Sequence, residues 1–62
     1  MDVADLNGWQ LAVYNEILER GPLTMHQVVA ATALPAKEVR PLLVQLAQAR
    51  LILLRNDGWY AP

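Results

Sequence analysis

The chain has 62 residues, a formal net charge of -1, no cysteine and a 55% share of hydrophobic residues. That length fits one domain, and so short a chain buries only about 60% of the surface its unfolded form exposes, so no stability is spare. The missing cysteines exclude disulfides and thiolate metal sites, a single histidine (His26) cannot build a zinc site, and no stretch has the length of a membrane span or the pattern of a signal peptide.

From Met1 to Leu6 the chain is a short acidic leader with Asp2 and Asp5. Asn7 is a good N-cap, and Gln10 three residues on completes a capping-box spacing, so a first helix is predicted over 8–20. Its apolar stripe is read as Trp9, Val13 and Ile17 with Tyr14 and Leu18 beside them, while Glu16 and Glu19 point outward. On that stripe Trp9 and Tyr14 are core residues rather than stacking platforms. Gly21-Pro22 ends the helix, with Gly21 read as a left-handed cap and Pro22 barring continuation.

Thr24 and Gln27 repeat the capping-box spacing and start a second helix, predicted over 24–32. Val28 faces inward, with Met25 and Val29 on its flanks, and His26 is an exposed residue near the cap. Ala33 and Leu34 turn into a third helix over 35–49, with Pro35 suited to a first helical position. Two helices joined this tightly form a helix-turn-helix unit. In the third helix Val39, Leu42, Leu43 and Leu46 recur at three- and four-residue steps and share one face. Lys37, Arg40, Val44, Gln45 and Gln48 fall largely opposite. Pro41 removes a backbone hydrogen bond inside this helix and is expected to bend or loosen it.

The last segment, 51–61, is predicted to be a hairpin, because Asn56, Asp57 and Gly58 tolerate positive φ between the apolar runs Leu51–Leu54 and Trp59–Tyr60. By strand alternation Leu51 and Leu53 share one face and Ile52 and Leu54 the other. Two readings of four large aliphatics in a row stay open. The strand lies deep in the core, or its second face is covered by another part of the chain or by a second subunit.

This order of elements resembles the bacterial winged helix-turn-helix superfamily. The matching residues are Gly21-Pro22-Leu23-Thr24, Val28, Thr32-Ala33-Leu34-Pro35, Val39, Leu43, Leu46, Leu51-Ile52 and Asp57-Gly58-Trp59-Tyr60. They cover nearly all of the chain from Trp9 to Tyr60. A looser resemblance is to the small C-terminal winged-helix domains of the DNA-processing protein A family. The resemblance implies a mainly α fold of three helices and a C-terminal wing, with Leu23 forming one or two residues of strand beside that wing. Ala33 and Arg50 depart from the family, which often has glycine at both places; a non-glycine residue is then asked to take a tight turn.

In related domains the outward residues of the third helix touch bases and phosphates. Here these would be Lys37 on a phosphate, Arg40 on a guanine edge or phosphate, Gln45 on adenine, and Gln48. Arg55 and Asn56 stand at the wing tip, where an arginine can enter a minor groove. Simple turn chemistry also accounts for Asn56 and Asp57. Four of the five basic residues (Lys37, Arg40, Arg50, Arg55) follow Ala36, whereas four of the six acids (Asp2, Asp5, Glu16, Glu19) precede it. That polarity suits a domain oriented on double-stranded DNA, in transcription regulation or DNA processing. The near-neutral total, Glu38 and the apolar residues argue for the alternative, a protein-docking or dimerising winged helix using Pro41, Val44, Ile52, Leu54 and Trp59. No nucleophile–base pair, metal set or phosphate-binding glycine loop is present, so neither an enzyme nor a cofactor is expected, nor a small-molecule substrate. The expected location is the cytoplasm, with a dimer or larger assembly as a possible working form.

Overall fold

The structure is a computed structural model that describes residues 2–6 and 8–62. Three α-helices, α1 (Gly8–Arg20), α2 (Met25–Thr32) and α3 (Ala36–Gln48), precede a two-stranded antiparallel hairpin, β1 (Leu53–Arg55) and β2 (Gly58–Tyr60). The chain is thus mainly helical, with the hairpin at its C-terminal end. The core is Leu6, Val13, Tyr14, Ile17, Val28, Val39, Leu43, Leu46 and Ile52, so each helix contributes its apolar stripe and one residue comes from just before the hairpin.

The leader is more than an acidic lead-in. Val3–Asp5 forms a 3-10 turn in which the Asp2 N–H donates to Asp5 Oδ2 at 3.0 Å and the Val3 N–H to Asp2 Oδ1 at 2.7 Å. This turn delivers Leu6 into the core. The expected cap at Asn7 falls outside the described residues. Gly8 has φ +53, a conformation that glycine adopts without penalty.

Helix α1 buries Val13, Tyr14 and Ile17, and Gln10 is half-buried on the same face. Trp9 and Leu18, expected on the stripe, are instead 50% and 51% exposed. The buried positions follow i, i+3, i+4, i+7 from Gln10, and Trp9 sits about 100° round the helix from that line. Glu16 is half-buried rather than outward, and its Oε2 lies 3.3 Å from Arg20 Nε one turn on. Gly21 is not left-handed as the cap reading required; its φ is not positive. It is glycine for lack of space. A Cβ there would collide with the Ile17 carbonyl oxygen and come within 3.1 Å of the Trp59 carbonyl oxygen. The Gly21 N–H donates to that same Ile17 carbonyl at 2.8 Å.

The α2 start is as the spacing predicts. Gln27 N–H donates to Thr24 Oγ1 at 3.2 Å and Thr24 N–H donates to Gln27 Oε1 at 2.9 Å. Its end is made by Ala33, held left-handed at φ 58 with its N–H donating to Val29 O at 2.8 Å. Pro35 is the residue before α3 rather than its first member, with an extended ψ of 140. The helix runs unbroken through Pro41. At the far end Arg50 N–H donates to Ala47 O and Leu51 N–H to Leu46 O, both at 3.0 Å, with Arg50 at φ 62. This is the paired closure that usually uses glycine at the left-handed position.

That closure shortens the expected 51–55 strand. The Leu51 N–H belongs to α3, Ile52 turns wholly into the core, and the ladder starts only at Leu53. It pairs Leu53 with Tyr60, Leu54 with Trp59 and Arg55 with Gly58. Asn56 and Asp57 at φ 52 and 65 form the two-residue turn, and both positive values match the strand twist. Leu23 makes a one-residue antiparallel bridge to Trp59 on the other side of β2, exchanging hydrogen bonds of 2.7 and 2.9 Å. The order across the sheet is therefore Leu23, β2, β1.

Candidate nucleic-acid interface

Helix α3 is fixed on its inner side by Val39, Leu43 and Leu46 and held at both ends by the Ala33 and Arg50 turns. Its orientation is therefore set, and its outer side is available. Lys37, Pro41, Val44 and Gln48 follow one another at steps of four and three residues and form the centre line of that outer side; all four are exposed. The sequence assigned Lys37 and Gln48 to nucleic acid and Pro41 and Val44 to a protein partner. In the fold these are not two surfaces but one strip, cationic and polar at its ends and apolar in the middle.

Arg40 flanks this strip on one side and Gln45 on the other, both exposed. Gln45 already has a partner: its Oε1 accepts from Gln10 Nε2 of α1 at 3.3 Å. To read a base it would have to exchange that contact. The sequence gives Gln10 only a capping role. Its position on the buried line of α1 was the signal that it meets another helix.

Arg55 closes β1, and Asn56 begins the turn; both are exposed. They line an open cleft of about 520 Å³ together with Gly21, Pro22 and Thr24 of the loop between α1 and α2 and with Tyr60. Among the described residues no ion pair involves Lys37, Arg40, Arg50 or Arg55, so these charges face outward unneutralised. The described residues hold no group of three or more histidine, cysteine or acidic side chains able to hold a metal, and no helix is long and apolar enough to cross a membrane.

Two members of the expected partner surface are misplaced. Ile52 has no exposed surface, because the chain bends into the core there before the strand begins. Trp59 is half-buried and packs against the core, since the Leu23 bridge draws β2 onto the helices. Pro41 and Val44 on α3 remain at the surface, as does Leu54 of the hairpin, 57% exposed, with Leu53 beside it 41% exposed. In comparisons with known proteins, no family model, no curated protein and no solved structure matches this chain.

Proposed function

We propose that the chain is a winged helix-turn-helix module that binds double-stranded DNA, with α3 entering the major groove and the β1–β2 turn touching the backbone, in transcription regulation or DNA processing. The observation that carries this reading is the concentration of Lys37, Arg40, Arg50 and Arg55 in the half of the chain that holds α3 and the hairpin, none of them neutralised by an ion pair among the described residues. The tight α2–α3 turn at Ala33 and the third strand position at Leu23 are the features such a module needs, and both support it. Lys37 and Arg40 then meet phosphate or a guanine edge, Pro41 and Val44 meet sugars or thymine methyl groups, and Gln45 and Gln48 offer amides to base edges. Arg55 and Asn56 reach the backbone from the wing.

The test is fluorescence anisotropy of a labelled duplex at several salt concentrations. With three or four cations on phosphate, log K falls by about three units per tenfold rise in salt. Arg40→Ala weakens binding and flattens that slope. Binding that is unchanged by Arg40→Ala would remove α3 from the interface.

One observation favours a second reading. The apolar pair Pro41 and Val44, with Val44 48% exposed, occupies the middle of the strip where a groove reader usually places polar groups. In that reading α3 docks on a protein, and Val44→Lys abolishes capture of the partner while leaving weak DNA binding the same or stronger.

A further inference from the structure

The outer edge of β1 is open, and its backbone geometry defines what fits it. Trp59 sends both its N–H and its C=O away from β1, to Leu23, at 2.7 and 2.9 Å. In an antiparallel ladder its cross-strand partner must do the same in the opposite direction. Leu54 is that partner, so its N–H and C=O face the free edge of the sheet. Among the described residues neither makes a backbone hydrogen bond to a turn, loop or cap outside the hairpin ladder. Both flanking residues, Leu53 and Arg55, are exposed as well. Leu54 and Trp59 lie on the same face of the sheet, as opposed residues do, and Trp59 packs on the core while Leu54 stays more than half exposed. Leu54 thus overhangs the core at the sheet's edge.

We infer that β1 is the contact of a two-fold homodimer in which β1 pairs antiparallel with β1 of a second copy, centred on Leu54. The occupant is a second copy because this edge complements itself. Leu54 offers one donor and one acceptor to the same pair on its symmetry mate, giving two reciprocal hydrogen bonds. The register that centres on Leu54 sets Leu53 opposite Arg55 of the mate, so no two like charges stand directly opposed and the arginine stem covers the leucine. The two Leu54 side chains meet beside the axis and extend the two cores toward each other. Three residues per edge make a small contact, so the dimer is weak and reversible. It does not depend on DNA binding and stands or falls separately from it.

Sedimentation velocity of the whole chain from micromolar to millimolar concentration reads the association directly. A concentration-dependent shift from monomer to dimer is expected, and a monomer throughout overturns the inference. Two variants identify the edge. Leu54→Pro deletes the outward N–H without taking a bond from β2, and Leu54→Lys sets two ammonium groups side by side at the axis while remaining at an exposed site. Each is expected to raise the dimer dissociation constant about tenfold or more. A dimer of unchanged strength in both variants overturns the inference. In a sample mixed from labelled and unlabelled chains, contacts between Leu53 Hα and Arg55 Hα of different molecules are expected, because that pair is the non-hydrogen-bonded one. A dimer whose intermolecular contacts lie elsewhere overturns it equally.

Discussion

Replacing Gly21 with alanine adds one methyl group where α1 ends against β2. The new Cβ meets two backbone oxygens, those of Ile17 and Trp59, and neither belongs to a side chain that can swing away. Relief therefore requires the end of α1 to separate from β2, which disturbs the Gly21–Ile17 hydrogen bond and the Leu23–Trp59 bridge beside it. Overpacking of this kind costs about 1–3 kcal/mol. A 62-residue domain holds only about 3–9 kcal/mol in total, so the loss is a large part of it. Each kcal/mol is worth about 4–8 °C in a domain this small, and thermal denaturation followed by circular dichroism is expected to show a fall on the order of 10 °C. Gly21→Asn separates crowding from backbone conformation. Asparagine tolerates a left-handed φ better than alanine does, so a cap glycine would show asparagine as the milder change. Here both carry a Cβ into the same space and are expected to be about equally harmful. An alanine variant as stable as the parent, or a clear advantage of asparagine, refutes the close packing of α1 on the hairpin.

Ala33→Gly and Arg50→Gly relieve left-handed backbone at φ 58 and 62, and each is expected to stabilise by up to about 1 kcal/mol in a urea melt; destabilisation by either would mean that its side chain is needed. Thr24→Ala removes the acceptor for the Gln27 N–H and is expected to cost about 1 kcal/mol. Ile52→Ala is expected to cost about 2–5 kcal/mol and leave much of the chain unfolded at 37 °C, whereas Leu53→Ala stays within about 0.5 kcal/mol of the parent; similar losses at the two sites would contradict the inward turn before β1.

Most of the skeleton could be read from residue spacing. The Thr24/Gln27 box, the inward line of α3 and the Asn56-Asp57 turn each rest on local chemistry that one stretch of chain carries by itself. Misreadings cluster where tertiary packing decides. Trp9 and Leu18 fit an apolar stripe by period, yet the core does not extend to their flank, while Leu6, outside the helix, is part of it. Gly21 sits at a helix end, where glycine usually means a left-handed cap, but the position of β2 against it is not visible in its neighbours. The run Leu51–Leu54 was ambiguous because its facing depends on where α3 releases the chain. The Arg50 turn settles that by keeping the Leu51 N–H on the helix. On the candidate site, exposure of Lys37, Arg40, Gln48 and Arg55 was legible from helical and turn periodicity. The Gln10–Gln45 contact, between residues 35 apart, was not.

The most direct test of the DNA-binding proposal is an amide chemical-shift titration of labelled protein with duplex DNA at low and at physiological salt. Shifts are expected to concentrate over Lys37–Gln48 and the Arg55–Asp57 turn and to shrink as salt rises. Spectra that do not change at either salt, or shifts confined to the acidic leader and α1, would contradict it.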